Sequence, residues 1–485
     1  MPARFVSACA LAAMALALCA GVANGSNRPL ETGIAVTDIG APTQLEYERV
    51  RDLGAGNVRV LIFWDQVAPA SKPDVWNPAD PFDPNYDWTN FDSQVRLAVN
   101  AGLTPFIEIY SAPRWAERCR RETKGICNPA PVDFARFSLA AAKRYSGSFP
   151  NLPRVRFWQP WNEPNLHLFF QPQFRNGNKV SPALYRELLN RFAGAVKSVH
   201  RSNLVIAGGL APLQRPGGLG PLDFARRLLC MEGRKKPKPK RGCKAKARFD
   251  IWANNPFTTG GPTHKSAGID DVSLGDLPKM SQLLKSARRA GKINTSRGSV
   301  AYWVTEFSWD SKPPDPGGLP MWILTRWTSE ALYRAWSAGV SKFFWLSLRD
   351  WPRPEGLPYS QTYESGLYFR GATVEEDRPK NNLRAFQFPF VAFPGKKGIT
   401  TWGRTPSSRP GRVFIEYRNG GGWRRLSVVR ANRFGVFRSF VRTRIAKRLA
   451  QRKRAVVRAK YQGGESRPFS LRPVKDFRHP PFGKP

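Results

Sequence analysis

Eight short apolar runs, separated by amphipathic stretches, narrow what this chain can fold into more than any other feature. The runs are Gly33–Val36, Val58–Phe63, Thr104–Tyr110, Val155–Pro160, Leu204–Gly208, Phe249–Ala253, Ala301–Thr305 and Lys342–Leu348. Between them lie candidate helices at Gln44–Leu53, Phe91–Asn100, Pro131–Tyr145, Pro182–His200, Leu222–Leu229, Leu277–Ala290 and Trp322–Ala338. Their apolar residues recur three and four apart, as in Leu184, Leu188, Leu189, Phe192 and Val196, which is the helical period. Strand and helix alternating eight times predict an α/β fold, a closed (β/α)8 TIM barrel. An open doubly wound sheet would want a glycine-rich phosphate turn after its first strand, and Gly33-Ile34-Ala35-Val36-Thr37 supplies none.

Both ends differ from this rhythm. Residues 1–25 read as an export signal: Arg4 gives the charged start, Ala8 to Ala20 the apolar stretch, and cleavage is expected after Ala23 or Gly25. No later stretch is apolar for long enough to span a membrane. Near Pro394 the texture becomes strand-like and turn-punctuated, with runs such as Arg412–Tyr417 and Arg425–Val429 around Gly420-Gly421-Gly422. The expected organisation is a signal at 1–25, a barrel at 26–393, a small basic β-sandwich-like domain at 394–475 and a loose tail at 476–485. A barrel cut free near Phe390 should then keep its chemistry on a small substrate.

The cysteines that remain after export form two local pairs, Cys119 with Cys127 and Cys230 with Cys243. In an oxidising compartment both are expected as disulfides, the first bracing a loop after strand three, the second on the opposite face. Zinc is disfavoured by the spacing and by only four histidines. The net charge is +41, and residues 391–485 alone hold 25 Lys/Arg against 3 Asp/Glu, a net +22. Such charge favours an anionic partner, whether nucleic acid, acidic polysaccharide, an anionic wall polymer through the basic tail or a membrane surface; a solvated basic surface without a partner is the alternative. The other basic block, Arg234 to Arg241, has no interleaved aromatics to stack bases, so no nucleic acid is expected.

Barrel active sites lie at the carboxyl ends of the strands. Two glutamates hold that position, Glu163 in Trp158-Gln159-Pro160-Trp161-Asn162-Glu163-Pro164-Asn165 and Glu306 in Tyr302-Trp303-Val304-Thr305-Glu306-Phe307-Ser308-Trp309. A carboxylate among aromatics is poorly solvated and can hold a proton, while a second stays ionised; glycosidic cleavage needs that pairing. Sixteen tryptophans fit the same idea, since indole faces suit sugar rings.

These motifs resemble the signatures of the clan A retaining glycoside hydrolases, near the family 39 and family 5 branches. The resemblance implies that Asn162 binds a sugar hydroxyl, that Glu163 is the acid/base and that Glu306 is the nucleophile. It extends to Arg59 as a nucleophile-positioning arginine and, more thinly, to Trp64, Trp115 and Trp345 around the sugar, where Asn255 is a further candidate. No metal or cofactor is implied. One departure stands out: Asn254-Asn255-Pro256-Phe257 replaces a His-Pro-Tyr pattern whose phenol holds the nucleophile, leaving His264 or Tyr302 as candidates for that task. The reading is therefore a secreted monomeric glycosidase acting on a β-linked glycan. A weak or inactive carbohydrate-binding barrel and a wall-associated protein held by its basic tail are the alternatives.

Overall fold

The computed structural model describes residues 27–482 apart from 39, 41, 120–122, 453 and 454; the expected export signal lies outside the described residues. Eight strands close one barrel: β1 (Glu31–Val36), β2 (Asn57–Phe63), β3 (Thr104–Tyr110), β4 (Phe157–Pro160), β5 (Leu204–Leu210), β6 (Ile251–Asn254), β7 (Ala301–Val304) and β8 (Lys342–Ser347). Every neighbouring pair is parallel, and β8 returns to β1. This is the (β/α)8 barrel that the apolar rhythm predicts.

Period-two alternation decides what each strand sends inward. On β2, Val58, Val60 and Ile62 join the large core under the helices, which leaves Asn57 and Arg59 to the barrel interior. On β3, Ile107 and Ile109 face outward, while Phe106 joins an inner plug with Leu204, Ile206, Ile251, Trp303 and Phe344. The Phe106 and Phe344 rings meet edge to face at 4.9 Å. Two residues further along β3, Glu108 rises above this plug, level with Gln159 of β4. The polar floor of the site is thus set by strand register.

Beyond the barrel lie two antiparallel sheets. One contains β9 (Phe390–Gly395), β10 (Gly398–Arg404) and β13 (Val436–Val441); the other is built on β11 (Gly411–Asn419), β12 (Gly422–Ala431) and β14 (Val456–Tyr461). The expected boundary at 394 falls inside the first hairpin, where Pro394 lies opposite Ile399. The region is not wholly β, since Arg444–Gln451 is a helix capped by Thr443, whose Oγ1 accepts from Ala446 N at 2.9 Å. It docks on the helix Met321–Ser337 through Trp402, fully buried against Tyr333 and Trp336.

The last described residues correct the expectation of a loose tail. They cross back over the loops that follow β6, β7 and β8. Asp476 accepts from Gly261 N at 2.7 Å and pairs with His264 Nδ1 at 2.8 Å, and His479 N donates to Thr259 O at 2.8 Å. Asp310 N donates to Pro481 O at 2.9 Å. The Phe482 ring lies 4.9 Å from Phe257 and 4.2 Å from Tyr363, and Phe477 lies 4.9 Å from Trp327. Proline and charge made this segment read as loose, but its partners are more than 110 residues away and leave no local pattern.

Ending the chain at Arg472 should therefore uncover apolar surface at the barrel mouth. We expect a lower melting midpoint, increased dye binding to apolar surface and a loss of about 2–3 kcal/mol for the two part-buried phenylalanines. A truncated chain that melts with the full chain would show that the segment contributes nothing.

Candidate active site

Glu163 sits in a tightly wound connection after β4. Trp161 and Glu163 both take left-handed backbone angles, with φ of +69° and +40°. Such residues cost about 1–3 kcal/mol each and persist only where the surroundings hold them. Trp161 N donates to Ile109 O at 2.8 Å and Glu163 N to Gly209 O at 3.2 Å, fastening the turn to both neighbouring strands. Asn165 ties it to the next loop, donating to Ala211 O and Leu219 O at 3.2 and 3.0 Å. Gly209 must stay small, because a Cβ there would lie 2.8 Å from Gln159 Nε2.

Arg59 is the centre of the floor. Its Nη1 donates to Glu306 Oε1 and lies 3.4 Å from Glu108 Oε2, while its Nε donates to Ala35 O at 3.2 Å. Gln159 Nε2 donates to the same Glu108 oxygen at 2.7 Å. On the far wall, Thr305 Oγ1 donates to Asn255 Oδ1 at 2.8 Å. That contact fixes the amide so that Asn255 Nδ2 faces Glu163 Oε1, 3.1 Å away.

The carboxyls experience different fields. Burial, and then the charge of Glu306, push the Glu163 carboxyl up to about 8, against the opposing hydrogen bond from Asn255. Burial raises Glu108 to about 7, with Arg59 pulling it back down. The two carboxylates raise Arg59 against the desolvation that would lower it, so its cation is kept. Above this floor stands Tyr363, raised by burial and then by Glu306 and Glu163.

Arg59, Asn255, Glu163 and Glu306 are therefore brought together, with Asn162 half-buried beside Glu163. Trp64 is not at the sugar face. It opens a helical turn and stacks on Phe137 with no exposed surface, because the turn swings it toward the helices. Trp345 is likewise fully buried, since Phe344 beside it takes the inward position on β8; its Nε1 donates to Ser365 O at 2.7 Å. Trp115 keeps a partly exposed face in a cluster with Trp64 and Trp76. His264 serves the C-terminal segment and Tyr302 donates to Asn254 Oδ1, so neither orients Glu306. Arg59 makes that contact. Sequence reasoning missed Glu108, Gln159 and Tyr363; a charged residue alternating with Phe106 and Tyr110 on β3 was the signal for the first.

Both disulfides are present, Cys119–Cys127 and Cys230–Cys243, with Cα separations of 6.0 and 5.5 Å. The first lies at the mouth, where Asn128 N donates to Gln171 O at 2.6 Å and joins the loops after β3 and β4. No helix of the described residues is long and apolar enough to cross a membrane.

Among solved structures the chain is similar to a family 39 glycoside hydrolase from the gut symbiont Bacteroides cellulosilyticus WH2. The two are 15% identical over 85% of this chain and 81% of that one, with a TM-score of 0.52. A monomeric beta-xylosidase from Caulobacter crescentus CB15 is 17% identical over 82% of this chain and 84% of that one, also at 0.52. The fold shared with these glycoside hydrolases is the closed (β/α)8 barrel. No protein-family model and no curated protein matches the sequence. At this identity the likeness establishes the barrel fold alone.

The raised Glu163 carboxyl has a consequence for stability. Its folded value near 8 lies above the ordinary carboxyl value of about 4.3 for an unfolded chain. Its contribution is complete below about pH 4 and is lost as pH rises through about 8. Glu163→Gln cannot ionise, so it should match the wild type in stability near pH 4 and exceed it at pH 9, by on the order of 5 kcal/mol. Parallel melting curves across that range would contradict the buried, proton-holding assignment.

Proposed function

We propose that the protein is an exported glycoside hydrolase cleaving O-glycosidic bonds of a β-linked glycan with retention of configuration. The observation that carries the reading is the unequal treatment of two carboxyls at one barrel mouth. Glu306 has the Arg59 cation as partner, whereas among the described residues Glu163 is hydrogen-bonded by a neutral amide, and burial holds its proton. An acid and a nucleophile are thereby separated by environment, not by residue type.

In the first half-reaction a Glu306 oxygen attacks the anomeric carbon and the bond to the leaving oxygen breaks. Glu163 gives its proton to that oxygen, leaving a glycosyl ester on Glu306. In the second, ionised Glu163 takes a proton from water, whose oxygen attacks the same carbon and releases Glu306. Two inversions return the original configuration. Asn162 Oδ1, buried and accepting no hydrogen bond among the described residues, is suited to a sugar hydroxyl. The two disulfides support export. Exposed Arg424, Arg425 and Arg430 on β12 support a second contact, with an anionic wall polymer, that weakens as salt screens it.

A screen on activated aryl β-glycosides and on polysaccharides tests the activity. Glu306→Gln should lose at least about 10^4-fold in turnover, because an amide cannot form the ester. Glu163→Ala should lose about 10^2–10^4-fold on substrates with poor leaving groups. With an activated leaving group and azide, the same variant should yield a glycosyl azide of retained configuration; an inverted product would exclude the two-step path. In the wild type, kcat/KM should fall as pH rises through about 8, where Glu163 loses its proton.

A further inference from the structure

The loop after β7 turns sharply beyond Glu306. Ser311–Lys312 pairs in parallel with Leu319–Pro320, and Asp315 lies in the turn between them. Its Oδ1 accepts from Gly317 N at 2.7 Å. The loop after β8 runs alongside, where Glu364 O accepts from Ser311 N at 3.1 Å. Together they gather Asp310, Asp315 and Glu364, each with a carboxylate oxygen within 4.8 Å of the others. All three are buried, at 0%, 3% and 2% exposure.

A further observation points to a ligand. Asp315 Oδ2 and Glu364 Oε2 are buried and accept no hydrogen bond among the described residues. The second oxygen of Glu364 is already taken by Thr362 Oγ1 at 2.6 Å. A buried ionised carboxylate without a partner costs several kcal/mol. Lys380, the cation built into this region, is committed elsewhere: its Nζ lies 2.5 Å from Asp350 Oδ1, 2.8 Å from Ser311 Oγ and 2.9 Å from Glu364 O. Among the described residues Lys380 thus leaves the free oxygens of Asp315 and Glu364 without a bond.

We infer that Asp310, Asp315 and Glu364 hold a divalent cation, Ca2+ in particular, between the loops that follow β7 and β8. The donors are hard oxygens with no histidine or cysteine among them, which suits Ca2+ over a transition metal. Oxygen ligands at about 2.3–2.6 Å can stand up to about 5 Å apart across the ion, a span that contains this cluster. Asp310 is four residues from Glu306, and Glu364 adjoins Tyr363. The ion thus ties the loop carrying Glu306 to the wall that faces it. The inference needs no glycosidase activity.

The test uses the full chain, stripped with EDTA and dialysed, then titrated with Ca2+, Mg2+ and Tb3+ by calorimetry. Tb3+ is also followed by luminescence excited through Trp309, next to Asp310. One Ca2+ per chain is expected, with a rise of several degrees in Tm at about a hundredfold excess over Kd. Asp315→Asn and Glu364→Gln should each weaken binding by at least about tenfold. Stability should change sign: without metal, removing one negative charge raises Tm, whereas in Ca2+ the same variant melts below the wild type. If Asp315→Asn does not fold, Glu364→Gln and the wild-type titration decide. Failure of the stripped chain to take up any of the three ions at millimolar concentration would overturn the site. Wild-type affinity in the variants would do the same, and Mg2+ binding tighter than Ca2+ would overturn the choice of ion.

Discussion

The geometry of the mouth depends on one buried guanidinium. Arg59 lies inside the barrel with almost no exposed surface, between Glu306 on one side and Glu108 on the other. Removing such a cation from water is tolerable only when charged acceptors surround it. Three carboxyls and one cation then share a small volume of low dielectric, and not all can be ionised together. The position of Arg59 decides which one is left without a cation, and that one is Glu163. The proposed division between acid and nucleophile would follow from a residue on β2, two strands from Glu163 and three from Glu306.

Holding that placement requires support that does no chemistry. Gln159 shares the Glu108 oxygen opposite Arg59, and Thr305 orients the Asn255 amide before it meets Glu163. Backbone bonds to β3 and β5 hold Trp161 and Glu163 in their left-handed angles. The strain there is local, while the restraint comes from the whole barrel, whose parallel strands cannot shift singly without breaking their neighbours' ladders. The helix Met321–Ser337 connects this rigidity to the β-rich region through Trp402.

The barrel was legible because its strands are buried on both sides and so are written as near-continuous apolar runs. The Trp161–Asn165 motif marked the site because its residue types are costly to keep at a strand end without a use. The same logic failed for Trp64 and Trp345. Residue type says that an indole will be buried, and only the alternation says on which side; Phe344 takes the inward place and sends Trp345 outward. Asn255 was read as a departure from a pattern, yet it is the direct partner of Glu163. The C-terminal segment was illegible for a different reason. Its order comes from loops far away in the chain, and no period or cap records a contact of that kind.

That segment also bears on when the mouth can exist. Phe482 packs on Phe257, and Pro481 accepts from Asp310, so one wall of the cleft is assembled from pieces separated by more than 170 positions. A chain emerging from its amino end can close all eight strands before this wall is available. The barrel is then an early product and the finished cleft a late one, with an interval in which the aromatic surface around Phe257 and Tyr363 is bare. If the chain is exported as proposed, that interval would fall on the far side of the membrane, where the two disulfides would also form.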